Sequence, residues 1–457
     1  MNDNKMTRIE LYATWGLSTI FFLRMLGMCM VLPILTTYGM QIQDANETLI
    51  GLAIGIYGIT QAIFQIPFGL CSDRFGRKPL IIIGLFLFTI GSLVAAMTES
   101  IWGVILGRAL QGSGAISSVI MALLSDLTRE QNYTKAVTFI GMGFGITFAI
   151  AIIIGPILAN ALSLNALFSI TALFSILGII ITLIVVPSTS IQILNRDAIT
   201  VRSGIRSIIT NRHLIKLNLS IFFLHILLMS NFMSLPIEFS LADFPTKDHW
   251  KIYLCTIFIS FVTTIPSILY AEIKQKMKVV VISCTALMLG SEILLWHSSH
   301  TPWKLLIGLQ IFFISFNLME AILPSLINKE CPIGYKGTAM GLYSTSQFLG
   351  VAIGGSVSGW LLGHFSINHI FLLGSILSLA WLLLTLNMRE PPHLTSLRFT
   401  LTSSSINTIK LEQCLNSHQG VFDVLLLPQE KSVYVKIDNK KTSRSAIEKI
   451  ISEQAIS

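Results

Sequence analysis

Residues 69–79 read GLCSDRFGRKP, a run of charged and helix-breaking residues between two long apolar stretches. Gly69 lets two helices approach closely where the first stretch ends, and Gly76 permits a turn with positive φ that a side chain would resist. Cations in such a position lie at the level of the lipid headgroups. The run therefore predicts a short loop that joins two membrane-spanning helices at one bilayer surface, and its cations are Arg74, Arg77 and Lys78.

The composition of the whole chain agrees with a membrane protein. Of its 457 residues, 53% are hydrophobic and only 12% are charged, and the mean hydropathy is +0.73. A helix needs about 20 apolar residues to cross a hydrocarbon core of roughly 30 Å. Such segments recur, and we predict twelve spans, at residues 13–40, 48–70, 79–97, 102–125, 134–158, 166–187, 214–240, 250–271, 277–297, 303–327, 338–363 and 367–386.

The loops between these spans differ in charge. With both termini in the cytoplasm, the cytoplasmic loops carry most of the cations, Arg129 and Lys135 among them. The cations of the opposite loops are Lys247, Lys251 and Lys304. This imbalance follows the positive-inside rule, so the net charge of +8 requires no nucleic-acid partner.

The chain also repeats itself at a fixed offset. Corresponding positions in the two parts include Ser125 and Ser325, Glu130 and Glu330, Gly141 and Gly341, and Gly155 and Gly355. The offset equals six spans plus a long basic loop, as two parallel six-helix halves require. We therefore predict an N-terminal half at 1–187, a cytoplasmic linker at 188–213 and a C-terminal half at 214–387.

Three motifs resemble those of a known family. The charged loop matches the pattern G-x-x-x-D-R-x-G-R-[KR] of the major facilitator superfamily, at Gly69, Asp73, Arg74, Gly76, Arg77 and Lys78. Residues 108–115 resemble the fourth-helix motif R-x-x-Q-G-x-G-A, and residues 26–33 resemble the first-helix motif of the drug:proton antiporter branch. The resemblance implies a secondary transporter that works by alternating access, similar to bacterial inner-membrane members that carry a cytoplasmic appendage.

The fifth span departs from the antiporter pattern. The family pattern G-x-x-x-G-P-x-x-G-G becomes AIIIGPILAN at residues 151–160, so the first glycine is Ala151 and the closing pair is lost. The remaining Gly155-Pro156 pair still permits close packing and a kink. The departure leaves exchange, uniport and symport all open.

The single carboxylate of the charged loop needs a partner. Asp73 is expected to pair with Arg77 four residues on, or to point at the positive N-terminal end of a neighbouring helix. The family packs its eleventh helix against the second beside this loop, where Gly355 and Gly359 offer a smooth face. We expect Asp73 to hold that helix in one state and release it in the other; alternatively, the loop only fixes topology. Asp126 is a further expected partner of Arg77.

A second group of candidates lies within the predicted spans, where a polar side chain costs free energy. Arg24 and Glu320 fall at similar depths in the first and tenth spans, so an interaction between them would connect the two halves. Glu320 and His225 are the deep groups with proton chemistry. The predicted substrate and proton pathway consists of Arg24, Tyr57, Gln61, Arg108, Gln111, His225, Asn231, Asn317 and Glu320.

Several of these residues have a purely structural alternative. Gln61 and Gln65 are four residues apart and could hydrogen-bond a neighbouring helix, and His225 could be a helix-packing histidine. Glu238 and Glu292 fall near the ends of their spans, where we expect them to reach headgroups or water.

Towards the C-terminus, the composition becomes typical of a soluble domain. Residues 394–457 follow the pattern strand, helix, strand, strand, helix, which resembles a ferredoxin-like fold. Heavy-metal-associated domains share this order but place two cysteines in the first loop, where this chain has Thr402 and Ser403 to Ser405. We therefore expect no bound metal, and a regulatory or self-association role for this module.

The sequence thus predicts an all-α polytopic membrane protein of the bacterial inner membrane, with twelve transmembrane helices in two six-helix halves and a small α+β cytoplasmic domain. Its expected function is proton-coupled efflux or antiport of a small molecule. The alternatives are a uniporter or symporter of a small metabolite, and a solute sensor that signals through the C-terminal domain.

The expected partners are a small-molecule substrate, protons and membrane lipids, and we expect a monomer. The sequence contains no G-x-x-x-x-G-K-[ST] loop and no nucleophile and base on one face, so neither direct ATP use nor enzyme activity is expected. None of the six cysteines forms a C-x-x-C pair, so we expect no cofactor, no metal and no disulfide.

Overall fold

The chain folds into a helical bundle followed by a small sheet domain. The computed structural model describes residues 6–187, 202–274, 276–298, 301–332, 335–390, 394–400, 408–427, 432–438 and 441–456. The helices of the bundle are α1 (Arg8–Tyr38), α2 (Glu47–Phe75), α3 (Arg77–Met97), α4 (Ile101–Ser113), α5 (Ser117–Leu127), α6 (Glu130–Ala161), α7 (Leu164–Ile184), α8 (Arg202–Thr210), α9 (Arg212–Leu241), α10 (His249–Ile273), α11 (Met277–Trp296), α12 (Pro302–Glu330), α13 (Lys336–His364) and α14 (Asn368–Leu386).

Capping residues set several of the helix boundaries. Thr7 and Glu10 form a reciprocal capping box at the start of α1, in which the Thr7 backbone N–H donates to the Glu10 carboxylate at 2.7 Å. The Asn46 side chain accepts a hydrogen bond from the Leu49 N–H at 2.8 Å and so begins α2. The same helix ends at Gly76, whose φ of 95° is the positive value predicted for it.

The predicted fold class is confirmed. Ten helical segments in the described ranges are long and apolar enough to cross a membrane, and one of them comprises α4 and α5 together. The other two predicted spans correspond to α6, with an apolar stretch at 146–158, and to α13, which is rich in glycine and serine. The predicted fourth span differs in one respect, because the helix breaks between Ser113 and Ser117.

The two halves of the bundle meet mainly along α2 and α13, with further contacts between α1 and α9 and between α6 and α10. Glycines make the α2–α13 contact close. A Cβ atom added at Gly51 would lie 2.5 Å from the carbonyl oxygen of Gly355 and 2.6 Å from the Cα of Gly359. A second face of α13 carries Gly350 and Gly354, which pack on the backbone of α9. Helix α13 therefore lies between the two halves and contacts both at backbone distance.

The predicted linker between the halves contains the short helix α8, which contacts α13 and α9. Residues 188–201, the first part of this predicted linker, lie outside the described residues.

The C-terminal domain has the predicted order of elements: β1 (Leu394–Thr400), α15 (Thr408–Ser417), β2 (Val421–Leu427), β3 (Ser432–Asp438) and α16 (Arg444–Ile456). Its sheet has the order β1-β3-β2, with both pairs antiparallel, as in a split β-α-β arrangement. Its core is apolar and includes Leu411, Val435 and Ile447. The loop with Thr402 and Ser403 to Ser405 lies outside the described residues.

This domain contacts the bundle at the end of α12. Lys436 on β3 is only 7% exposed, and its Nζ donates a hydrogen bond to the carbonyl oxygen of Cys331 at 3.1 Å. A cation at the C-terminal end of a helix is a favourable electrostatic arrangement. Because successive spans alternate in direction, the ends of α2, α5 and α12 lie at the same end of the bundle, which we call the domain side.

Candidate functional site

The charged loop at residues 69–79, hereafter the hinge loop, is organised around Arg77. Its guanidinium pairs with Asp73, and its Nε donates to Asp126 Oδ2 at 3.1 Å. Its Nη1 also donates to the hydroxyl of Ser72 at 2.7 Å. The side chains of Arg77 and Asp126 are 5% and 1% exposed, whereas that of Asp73 is 26% exposed. Of the two alternatives for Asp73, the structure has the pair with Arg77, and it also has the expected pair between Arg77 and Asp126.

The remaining residues of the hinge loop bind it to its surroundings. The carbonyl oxygen of Gly69 accepts a hydrogen bond from a serine hydroxyl one turn later, at 2.7 Å. The guanidinium of Arg74 lies 5.7 Å from the centroid of the adjacent phenylalanine ring. Lys78 Nζ donates to the carbonyl oxygen of Val186, just past the end of α7, at 2.7 Å. The loop therefore contacts α5 and the end of α7 within the N-terminal half.

A carboxyl cluster, consisting of His225, Glu320 and Gln347, lies in the C-terminal half. His225 Nδ1 lies 3.2 Å from the carbonyl oxygen of Ile221 and must donate to it, so the neutral ring accepts at Nε2. The side-chain nitrogen of Gln347 lies 2.9 Å from that Nε2 and 3.3 Å from Glu320 Oε1. The two hydrogens of one amide group can therefore serve the imidazole and the carboxylate together. The second carboxylate oxygen lies 4.0 Å from His225 Nε2.

The two predicted asparagines of this half have different positions. Asn317 lies one turn before Glu320 on α12, and its side-chain nitrogen is buried with no hydrogen-bond partner among the described residues. Asn231 does not join the carboxyl cluster. Its side-chain nitrogen donates to Glu292 Oε1 on α11 at 2.7 Å, in the interior of the C-terminal half.

The expectation for the two glutamates near span ends is wrong. Glu292 is only 2% exposed and Glu238 only 4%, so neither reaches headgroups or bulk water. Glu292 packs against Gly374 of α14, where an added Cβ would overlap its carboxylate. Sequence position gives the depth of a side chain along a helix but not the direction in which it points, and both side chains point inward.

A guanidinium cluster lies in the N-terminal half. Arg24 Nη2 donates to Gln61 Oε1 at 2.7 Å, and Arg108 Nη1 donates to Gln111 Oε1 at 3.0 Å. The guanidinium of Arg108 also lies 4.6 Å from the centroid of the Tyr57 ring, a cation–π distance. All five side chains belong to residues that are almost completely buried. Five of the nine predicted pathway residues therefore lie together.

The expected interaction between Arg24 and Glu320 is replaced by contacts within each half. Arg24 bonds to Gln61 and, at 3.4 Å, to the hydroxyl of Ser117, whereas Glu320 bonds to Gln347. Gln61 in turn donates to Gln65 at 3.2 Å, so the predicted pair on α2 bonds to itself as well as to Arg24. The structure thus holds a cationic group in one half and an acidic group in the other.

Sequence reasoning missed three polar contacts. Gln347 bridges the carboxyl cluster, but it lies in a stretch of serine, threonine and glycine where no spacing pattern marks it. Ser117, the first residue of α5, was hidden within an apparently continuous span. Glu10 on α1 accepts hydrogen bonds from Arg129 and Asn132 at 2.9 and 3.1 Å, a buried contact that its position before the first predicted span did not reveal.

Comparison with known proteins supplies the family. A family model described as Major Facilitator Superfamily matches residues 17–354 and 252–422. The inner membrane transport protein YajR of Escherichia coli (strain K12) is 55% identical over 451 residues, which cover 99% of each chain. The chain belongs to the Major Facilitator Superfamily. It is accordingly a transporter with multiple transmembrane helices.

Two further comparisons agree, one with this membership and one with the fold alone. An uncharacterised transporter of Buchnera aphidicola subsp. Acyrthosiphon pisum (strain APS) is 44% identical and covers 76% of this chain and 90% of its own. The crystal structure of a D-xylose-proton symporter superposes with a TM-score of 0.65 at 16% identity, over 84% of this chain and 98% of that one. The C-terminal module matches the YajR YAM domain at residues 397–453, so the superfamily bundle carries a second, separately recognised domain.

Proposed function

We propose that the chain is a secondary transporter of the bacterial inner membrane that exchanges a small molecule for protons by alternating access. The carboxyl cluster carries this proposal. A carboxyl group within a transmembrane helix indicates a functional site. The chemistry that Glu320 can perform is the binding and release of a proton. The name of the 55% identical relative supports an inner-membrane location.

The hydrogen bonds of Gln347 suggest how a proton would change the cluster. Its amide now donates to the unprotonated Nε2 of His225 and to Glu320 Oε1. A proton that moves to His225 Nε2 removes the acceptor for the amide and creates a cation 4.0 Å from Glu320 Oε2. Proton movement between Glu320 and His225 would therefore displace Gln347 from between them.

Displacement of Gln347 would act on the helix that connects the two halves. Gln347 belongs to α13, which packs through glycines on α2 and on α9. Small residues at a helix contact allow close approach and sliding. The close α2–α13 contacts include Gly51, on the half of α2 that lies away from the hinge loop. This arrangement supports rocking of the two halves about α13. In the state in which Asp73 pairs with Arg77, the hinge-loop end of α13 would be released.

Loop charge supports the proposed orientation. The hinge loop with Arg74, Arg77 and Lys78 lies on the domain side of the bundle, and cations favour the cytoplasmic side. We therefore place both termini and the C-terminal domain in the cytoplasm. The transporter would work as a monomer, because each half of the proposed pathway belongs to the same chain.

The test is proton movement in proteoliposomes loaded with a pH-sensitive dye and challenged with a panel of small molecules. We expect a substrate-driven pH change for the wild type and its loss in Glu320→Gln. Glu292→Gln is the matched control, because Glu292 is also a buried glutamate that accepts from an amide, but outside the carboxyl cluster. A pH change that survives in Glu320→Gln, or substrate uptake without any pH change, would contradict the proposal.

One observation favours a second candidate, a solute sensor. Lys436 of the C-terminal domain bonds to the end of α12, the helix that carries Glu320. A solute that moves α12 would therefore alter the contact with this domain. Such a sensor would bind a compound from the panel in detergent or nanodiscs but would show no flux of it in the proteoliposomes.

A further inference from the structure

The N-terminal half contains two buried cations that no acidic residue of the described ranges neutralises. Arg24 is 1% exposed and Arg108 is 0% exposed. Within the described ranges, neither guanidinium forms an ion pair. Their hydrogen-bond partners are uncharged, namely the side chains of Gln61, Ser117 and Gln111 and a backbone carbonyl of α2. Burial of a charge costs free energy unless a partner of opposite sign compensates it. The described residues do not supply such a partner for either arginine.

The same two side chains keep unused donors. Arg24 Nε and Arg108 Nη2 are buried and have no hydrogen-bond partner among the residues that the structure describes. The hydroxyl of Tyr57 is likewise without one. The Tyr57 ring lies 4.6 Å from the Arg108 guanidinium, and Gln61, which binds Arg24, lies one turn after Tyr57 on α2. The two guanidinium groups and the Tyr57 hydroxyl therefore belong to one positively charged region.

The break in the fourth span adds a further positive group. Helix α5 begins at Ser117, and its N-cap residue Ile116 makes no side-chain capping bond. Arg24 Nη1 donates to the Ser117 hydroxyl at 3.4 Å, so the first turn of α5 lies beside the guanidinium. A helix N-terminus carries the equivalent of about half a positive charge. In membrane transporters, such half-helix N-termini at discontinuous helices point at anionic groups of the substrate.

We propose that the substrate is an organic anion, and that its acidic group binds between Arg24, Arg108, the Tyr57 hydroxyl and the N-terminus of α5. Carboxylate, sulfonate and phosphate ester groups share the required chemistry, because their oxygens accept charge-assisted hydrogen bonds from guanidinium N–H groups. The proposal rests on the transport function proposed above and names the substrate class of that function. It also explains why the acidic carboxyl cluster lies in the opposite half, where it does not neutralise the arginines.

The binding test uses the full chain in nanodiscs and sets of compounds that differ only in charge. Each set pairs an acid with its amide and its amine, for example benzoate, benzamide and benzylamine, and hexanoate, hexanamide and hexylamine; sulfonates and phosphate monoesters extend the panel. Binding is measured from the shift of the thermal unfolding midpoint at constant ionic strength. We expect the acids to raise the midpoint and the amides and amines not to do so.

Variants connect this preference to the site. Arg24→Gln removes the charge and is expected to weaken binding of the acids by about tenfold or more, the effect of one or two charge-assisted hydrogen bonds. Arg24→Lys keeps the charge, loses the planar fork and is expected to be intermediate. Arg212→Gln, at the exposed start of α9, removes one positive charge away from the site and should bind like the wild type. A preference for neutral or cationic members, or acid binding unchanged in Arg24→Gln, would overturn the proposal.

Two outcomes separate the anion site from the proposed transport. Proton-coupled flux of a cation or neutral compound, insensitive to Arg24→Gln, would refute the organic anion and leave proton-coupled transport standing. Acid binding that depends on Arg24, without flux in proteoliposomes, would establish the anion site and refute transport.

Discussion

At the scale of single residues, the two carboxylates of the hinge region differ in their exposure to water. Asp126 is almost fully enclosed and accepts from Arg77 Nε at 3.1 Å, whereas Asp73 pairs with the same guanidinium and remains partly exposed. A buried partner cannot exchange its ion pair for water, but a partly exposed one can. We infer that Asp126 stabilises the N-terminal half and that Asp73 is the partner free to move during transport.

The comparison of Asp126→Asn with Asp73→Asn tests this difference. Loss of one member of a buried ion pair destabilises a protein by roughly 3–5 kcal/mol, and the retained amide oxygen should reduce that figure. We therefore expect Asp126→Asn to lower the thermal unfolding midpoint of the purified chain clearly. Asp73→Asn should leave the midpoint nearly unchanged and alter the rate of transport instead. Equal midpoints for the two variants would show that the exposure of the two carboxylates does not separate their roles.

Sequence reasoning found this ion pair but misplaced other polar residues, for a physical reason. A motif with fixed spacing, such as the one from Gly69 to Lys78, specifies local geometry directly. For polar side chains scattered along apolar helices, the sequence indicates only how deep in the membrane each one lies. Depth alone could suggest Arg24 opposite Glu320, but it could not reveal that Arg24 turns towards Gln61 or that Asn231 turns towards Glu292.

At the scale of helices, the contact between α2 and α13 is as close as backbones permit. A methyl group at Gly51 would lie 2.5 Å from a carbonyl oxygen of α13 and 2.6 Å from a Cα atom, neither of which can rotate away. The surface was predictable, because small residues four apart produce a smooth helix face. The break between α4 and α5 was not predictable, because glycines such as Gly112 and Gly114 are also common in continuous transmembrane helices.

Gly51→Ala is therefore expected to disturb the contact between the halves. Forcing an extra methyl group into a packed interface destabilises by about 1–3 kcal/mol, and here it opposes the state in which α2 and α13 touch. Transport should fall strongly while the overall fold persists. Gly290→Ala provides the control, because an added Cβ there meets no atom within 4 Å. If the two variants transport equally well, close approach of α2 and α13 is not required for function.

At the scale of the whole molecule, one helix connects the proposed proton site to the contact between the halves, and another connects it to the C-terminal domain. Gln347 belongs to α13, which contacts both halves, and Glu320 belongs to α12, whose end bonds to Lys436. The apolar spans and the repeat offset predicted the two halves, and the change of composition after the last span predicted a separate module. The position of the module against α12 was not predictable, because a single lysine to carbonyl contact leaves no pattern in the sequence.

We propose that protonation of Glu320 selects between conformational states of the bundle. The most direct measurement is the distance between spin labels at Phe75 on α2 and Asn328 on α12, two exposed positions on the domain side, with the six native cysteines replaced. The wild-type distance distribution should differ between acidic and alkaline buffer. Glu320→Gln, which resembles the protonated side chain, should show the acidic distribution at both values of pH. A Glu320→Gln protein whose distances still change with pH as the wild type's do would contradict this role of Glu320.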